Sequence, residues 1–202
     1  TQGGKTEALD RATRVLCTGA LVAYPTETFY GLAAHVGREQ AIRRLFAVKK
    51  RKPDQPILIL VPSKAWLSRY AARVPDAAAR LMDAFWPGGL TLLFEAAGHI
   101  SPLLSAGTGK IGIRISSHPV ARALPEALGE AITGTSANIS ARPPCRTARE
   151  VIRTLCDEVA LVLDGGRTAG GAPSTVLDVT ETPARVVREG VIPESALRPY
   201  LI

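Results

Sequence analysis

The sequence predicts one α/β domain spanning residues 1–202, built on a large, twisted, open sheet of mixed and largely antiparallel pairing with flanking helices. Three observations predict it. A chain of 202 residues with 46% hydrophobic content fills one good core and does not need two. Short apolar runs alternate with amphipathic stretches along the whole chain, with no repeat and no low-complexity linker. The closing apolar segments, 174–178 and 184–188, have no helix between them, which excludes a regular doubly wound order.

In chain order, Leu9, Ala12, Val15 and Leu16 recur at helical spacing and Gly19 follows at a left-handed cap position, so a helix is expected over 6–18. Leu21-Val22-Ala23-Tyr24, stopped by Pro25, reads as a buried strand that opens into a polar loop, Thr26 to Gly31. Ala41, Ile42, Leu45 and Phe46 mark a second amphipathic helix, ended by the basic run Lys49-Lys50-Arg51-Lys52 ahead of Pro53. A central strand is expected over 57–61. Helices at 65–70 and 76–85 precede Trp86-Pro87-Gly88-Gly89, which breaks the chain before a strand at 90–94. Strands at 111–115, 131–133 and 161–164 interleave with helices at 118–128 and 147–155.

Several function classes are excluded by what is missing. The longest aliphatic run, Ile57 to Val61, falls far short of the ~20 apolar residues of a membrane span. The N-terminal residues show no secretory signal, although a chain that does not begin with Met can have lost one. Cys17, Cys145 and Cys156 are too far apart for a metal site, and none of the phosphate-loop, dinucleotide or nucleophile-elbow glycine motifs occurs. Reduced thiols and a cytoplasmic setting are expected, with no membrane partner. The formal charge of +7, carried more by Arg than by Lys, favours polyanionic ligands.

The candidate ligand groups fall on strand-end loops. Thr28 is a loop hydroxyl whose ordinary role is a turn contact. The run 49–52 sits where a helix dipole favours cations, and beside a strand rim it can clamp a triphosphate. Arg114 interrupts the apolar alternation Ile111-Gly112-Ile113-Arg114-Ile115; if its face lines a cleft, it suits a carboxylate. Thr133 to Ser140 packs hydroxyls and an amide behind a strand, as either an ordinary turn or a nest for phosphate oxygens. Asp164 at a strand end can turn the chain or help hold Mg²⁺ beside phosphates.

Taken together and in order, Tyr24-Pro25-Thr26-Glu27-Thr28-Phe29-Tyr30-Gly31-Leu32, Lys49 to Pro56, Trp86 to Thr91, Ile113-Arg114-Ile115 with His118-Pro119, Thr135 to Ser140, and Pro173 to Asp178 resemble the YrdC/TsaC family of threonylcarbamoyl-adenylate synthases. The resemblance covers roughly 6–191 and implies a YrdC-like fold over a concave basic cavity. It implies condensation of L-threonine, bicarbonate and ATP to threonylcarbamoyl-AMP and pyrophosphate, with Mg²⁺ on the phosphates. The product would pass to a transfer complex that modifies tRNA. It places L-threonine on Thr28, Leu60, Arg114, Gly134 and Ser174, and ATP on Lys49, Arg51, Gln55, Lys110, Ser136, Asn138, Pro144 and Arg188. No covalent catalytic residue and no protein metal ligand is implied. Lys49, Arg51 and Arg114 act by alignment and charge.

Leu60 stands where many members carry a polar residue, often His, and Gln55, Gly89 and Ala141 also depart from the pattern. With its end at Ile202 the chain resembles the short, single-domain form. Two rivals remain at this point: a double-stranded-RNA or ribosome-maturation module without catalysis, and a carbamoyl-adenylate enzyme like the related domain of hydrogenase-maturation proteins.

Overall fold

A computed structural model describes residues 2–201. Helix α1, Gln2–Cys17, leads into strand β1, Val22–Pro25, which pairs antiparallel with β2, Tyr30–Ala33. Helix α2 is Glu39–Lys49, followed by β3, Ile59–Leu60. Helices α3, Leu67–Tyr70, and α4, Asp76–Phe85, come before β4, Leu90–Glu95. Then follow α5, Pro102–Ser105, β5, Lys110–Arg114, α6, Pro119–Leu128, β6, Ile132–Thr133, and β7, Thr135–Ser136. Helix α7, Ala148–Leu155, β8, Leu161–Val162, β9, Thr175–Asp178, β10, Arg185–Arg188, and α8, Glu194–Leu197, complete the order.

The strands form two mixed sheets where one was expected. Four strands run β7-β2-β1-β8 and six run β10-β9-β4-β5-β3-β6. The sheets meet after β2, where Thr133 N donates to Ala34 O at 3.1 Å and Ala34 N to Thr133 Oγ1 at 2.8 Å. The expected central strand is regular only at Ile59–Leu60, lying between parallel β5 and antiparallel β6. Its flanks still bond, Ile57 N to Leu104 O and Val61 N to Arg114 O.

Both faces of the central strands β1, β2 and β3 are covered. Val22, Tyr24, Ala33 and Leu60 point into a cluster with Ala12 and Leu16 of α1 and Ala121 and Leu124 of α6. Their neighbours Leu21, Ala23, Leu32 and Ile59 enter the larger core with α2, α4 and α7. Each fully buried large side chain contributes about 1.5–3 kcal/mol of transfer free energy, so this two-sided alternation fixes the register. It also explains why β2 is absent from the sequence reading: all four residues are buried and Gly31 resembles a breaker. Gly31 is required, because a Cβ there would sit 2.6 Å from the ring of its cross-strand partner Tyr24.

Helix ends position the loops. His118 Nδ1 accepts from Val120 N ahead of Pro119, and Thr147 Oγ1 accepts from Glu150 N, capping α6 and α7. At the other end of α2, Lys50 adopts the left-handed conformation (φ 50°), which turns the chain between Lys49 and Arg51. Among the described residues no helix is long and apolar enough to cross a membrane.

Candidate functional site

The β1–β2 turn, the start of β3, the end of β5, and the segments before β7 and β9 surround one cavity of about 210 Å³. Its lining includes Arg51, Arg114 and Arg188 and no Asp or Glu. Thr28, Leu58, Leu60, Gly134, Ser136 and Ser174 complete most of the wall. Arg51 and Arg114, distant in sequence, therefore share a single cavity.

Arg114 is held from two sides and is only 7% exposed. Its Nε donates to Gly88 O at 2.8 Å and its Nη2 to Glu27. Burial, with the Arg188 charge adding to it, lowers its pKa to about 10, so it stays charged at neutral pH. The same two causes act on Arg51, lowered by burial and then by Arg188. Arg114 is paired with Glu27, whereas Arg51 and Arg188 reach the recess with carbonyl and hydroxyl partners only, so the cavity keeps an excess of positive charge that an anion would complete.

The wall hydroxyls are held by neighbours on the turn and the rim. Thr26 Oγ1 accepts from the amides of Thr28 and Phe29 and donates to Phe29 O at 2.6 Å. Thr28 Oγ1 lies 3.2 Å from Thr26 Oγ1, a contact in which either hydroxyl can be the donor, and Thr28 reaches the cavity wall. Ser174 Oγ accepts from Thr91 Oγ1 at 2.9 Å, which leaves its own proton for a ligand oxygen. Arg188 Nη2 binds Ser174 O at 2.7 Å and fixes that rim.

Lys49 is placed differently from the expectation. It is 1% exposed and does not line the cavity. Its Nζ donates to Ser136 O, to Asn138 O at 2.8 Å and to Asn138 Oδ1 at 3.1 Å. Burial first, then the Arg51 charge, lowers its pKa to about 7. Three oxygens around one ammonium make it a strut under the 135–140 loop. Asn138 is likewise committed inward, its Nδ2 donating to Arg142 O and its Oδ1 accepting from Ser136 Oγ at 2.6 Å. Ser136 itself reaches the wall.

Three further expected ATP residues lie outside the lining. The Gln55 side chain is exposed, and its carbonyl instead accepts from Arg51 Nε at 3.1 Å, while Arg51 Nη2 binds Pro56 O at 2.7 Å. Lys110 opens β5 whereas Arg114 closes it, roughly 13 Å away at ~3.3 Å per residue. Its Nζ pairs with Asp178 at 2.7 Å and Glu181 at 3.2 Å. Pro144 is half-buried beside Cys145, whose carbonyl accepts from Tyr30 N. The sequence alone assigns no role to Glu27, Ser116 or Tyr24. An acid flanked by two threonines in a strand-end loop, with an Arg inside an apolar strand needing a partner, was the available signal.

A family comparison named Sua5/YciO/YrdC and described as "Telomere recombination" matches residues 14–190. The chain belongs to the Sua5/YciO/YrdC family. It is 37% identical over 175 residues to the threonylcarbamoyl-AMP synthase of Pyrococcus abyssi, covering 87% of this chain and 52% of that one. It is 32% identical over 186 residues to the threonylcarbamoyl-AMP synthase of Vibrio cholerae, covering 91% of this chain and 98% of that one. The crystal structure of P. abyssi Sua5 complexed with L-threonine superposes with a TM-score of 0.91 at 34% identity, over 95% of this chain and 56% of that one. E. coli YciO does so at 0.84 and 28%, over 95% and 92%. The chain thus spans about half the length of the P. abyssi and Bacillus subtilis relatives and nearly all of the V. cholerae one. Sua5/YciO/YrdC membership agrees with the sheets and cavity described above.

Proposed function

We propose that this chain is an L-threonylcarbamoyladenylate synthase, condensing L-threonine, bicarbonate and ATP with release of pyrophosphate. The observation that carries the reading is the cavity: three guanidiniums, no carboxylate in the lining, and hydroxyls at Thr28 and Ser174. The relatives named threonylcarbamoyl-AMP synthase and the L-threonine-bound P. abyssi structure support it.

Arg114, with Ser174 as a second donor, holds the amino-acid carboxylate, and Thr28 accepts from the side-chain hydroxyl. Leu58 and Leu60 give the methyl group an apolar wall. Leu60, where relatives often carry a polar residue, contributes packing in place of a hydrogen bond. Arg51 and Arg188 neutralise the triphosphate, and Lys49 acts through the loop that carries Ser136. The substrate amine adds to bicarbonate with loss of water to give a carbamate. A carbamate oxygen then attacks the α-phosphorus, and the bond to pyrophosphate breaks. Such a displacement needs alignment and charge neutralisation more than a protein nucleophile.

Among the described residues no three His, Cys, Asp or Glu side chains gather as a metal site. A Mg²⁺ would be carried by phosphate oxygens and water, supplying charge neutralisation when ATP is bound. The product would be passed to a transfer complex acting on tRNA in the cytoplasm. An RNA-binding role is less well matched, since a guanidinium as buried as Arg114 meets a small anion and not a duplex backbone.

The test is pyrophosphate release by the purified chain with ATP, Mg²⁺, bicarbonate and L-threonine. Release that stops when threonine or bicarbonate is omitted supports the reading, and equal release without threonine rejects it. Arg114→Ala is expected to raise the threonine Kd by about 100-fold or more, from the loss of a charge-assisted pair worth roughly 1.5–3 kcal/mol per bond.

A further inference from the structure

The geometry points to Glu27 as a positioning residue, which locks the Arg114 guanidinium so that its free end faces the cavity and recognises a carboxylate ligand. The inference rests on reading the cavity as an amino-acid site and adds a residue to that recognition. Glu27 lies in the turn between β1 and β2, whose shape is set by the Thr26 hydroxyl contacts. One carboxylate oxygen accepts from Arg114 Nη2 and the other from Ser116 Oγ. Ser116 is itself anchored, accepting from His118 N at 3.1 Å at the start of α6. The acid is therefore fixed at both oxygens.

A guanidinium carries five N–H donors in one plane. In Arg114 the edge bearing Nε and Nη2 is taken by Gly88 O and Glu27. Among the described residues Nη1 makes no hydrogen bond, so the end formed by Nη1 and the second Nη2 hydrogen remains. That end is the fork that grips a carboxylate with two parallel bonds. Glu27 itself is absent from the lining, so it aims the arginine without competing for the ligand. Its charge also offsets the burial of Arg114, whose side chain is 8% exposed against 23% for Glu27. Without it, the side chain would keep one anchor, at Gly88, and could rotate about it.

The experiment uses the full chain and two readouts. Isothermal titration compares L-threonine with L-threoninamide, which lacks the carboxylate charge, on the unaltered protein and on Glu27→Gln and Glu27→Asp. Glu27→Gln is expected to weaken L-threonine about 10-fold, the scale of one charge-assisted bond, and to shrink the preference over threoninamide by the same factor. Glu27→Asp should recover part of that preference, and ATP affinity should stay within about twofold in both. A purely structural role would lower both ligands and ATP together, and an unchanged preference in Glu27→Gln overturns the proposal. The second readout is ¹⁵N NMR of the arginine side chains in the ligand-free, unaltered chain, with Arg114 assigned by Arg114→Lys. Separate Nη1 and Nη2 signals for Arg114 are expected, and one averaged signal overturns the proposal whether or not the Glu27 variants fold. Should the unaltered chain take up no L-threonine, the amino-acid reading fails by itself, and the NMR spectrum still decides the role of Glu27.

Discussion

Lys49 and Arg51 stand two residues apart in one basic run, yet the first is sealed beneath the 135–140 loop and the second lines the cavity. The left-handed Lys50 between them turns the chain, and the surroundings do the rest. Lys49 meets three oxygens of the protein and supports a wall, whereas Arg51 keeps part of its fork beyond the Gln55 and Pro56 carbonyls. A cation's acceptors decide whether it serves the fold or the ligand, and its place in a charge run does not.

The sharpest way to break this contrast is to remove each cation. Lys49→Met should cost about 3 kcal/mol at pH 7, because Asn138 O is left buried without its donor while Ser136 O and Asn138 Oδ1 each lose one of two. In calorimetry that is a fall in Tm of roughly 6–12 °C for a chain of this size. Arg51→Met should act on the ligand instead, weakening ATP about 10- to 100-fold by titration while Tm stays within about 4 °C. If the two variants exchange these phenotypes, the assignment of strut and ligand group is reversed.

A smaller effect follows from the Lys49 proton. Its folded-state pKa, about 7, lies below the ordinary 10.5, so between these values the unfolded chain binds a proton that the folded chain does not. Stability from this group therefore rises with pH through that window and is flat below about 7. Tm measured from pH 7 to 9.5 should climb more steeply in the unaltered chain than in Lys49→Met, and equal slopes would contradict the burial argument. The smallest effect is expected at Lys110, whose ion pairs lie at the far end of β5. Lys110→Ala should lower stability by about 1 kcal/mol or less, since Asp178 keeps the Thr180 amide and hydroxyl, and should leave ATP affinity within about twofold.

The longer helices were legible because amphipathic spacing and caps such as His118-Pro119 and Thr147 are local, whereas the four-residue helices Pro102–Ser105 and Glu194–Leu197 are too short to show that spacing. Strands covered on both faces lose their period-two signal, which hid β2 and made two sheets look like one. Arg114 was legible as a charge inside an apolar strand, and Thr28, Ser174 and Arg188 came with the family resemblance and reach the cavity. Lys49, Asn138 and Lys110, expected at the nucleotide from the resemblance, lie outside the cavity lining, with side-chain partners that are carbonyls, amides and acids remote in sequence. Glu27 was quoted in a motif but had no role until the fold brought β5 beside its turn.

The most direct measurement is a crystal structure of the chain with L-threonine and a non-hydrolysable ATP analogue. The account predicts the threonine carboxylate on the free end of Arg114 and the triphosphate between Arg51 and Arg188, in one cavity, with Lys49 still bonded to the 136 and 138 carbonyls. A triphosphate lying on the exposed face of the 49–52 run, or a carboxylate bound away from Arg114, would contradict it.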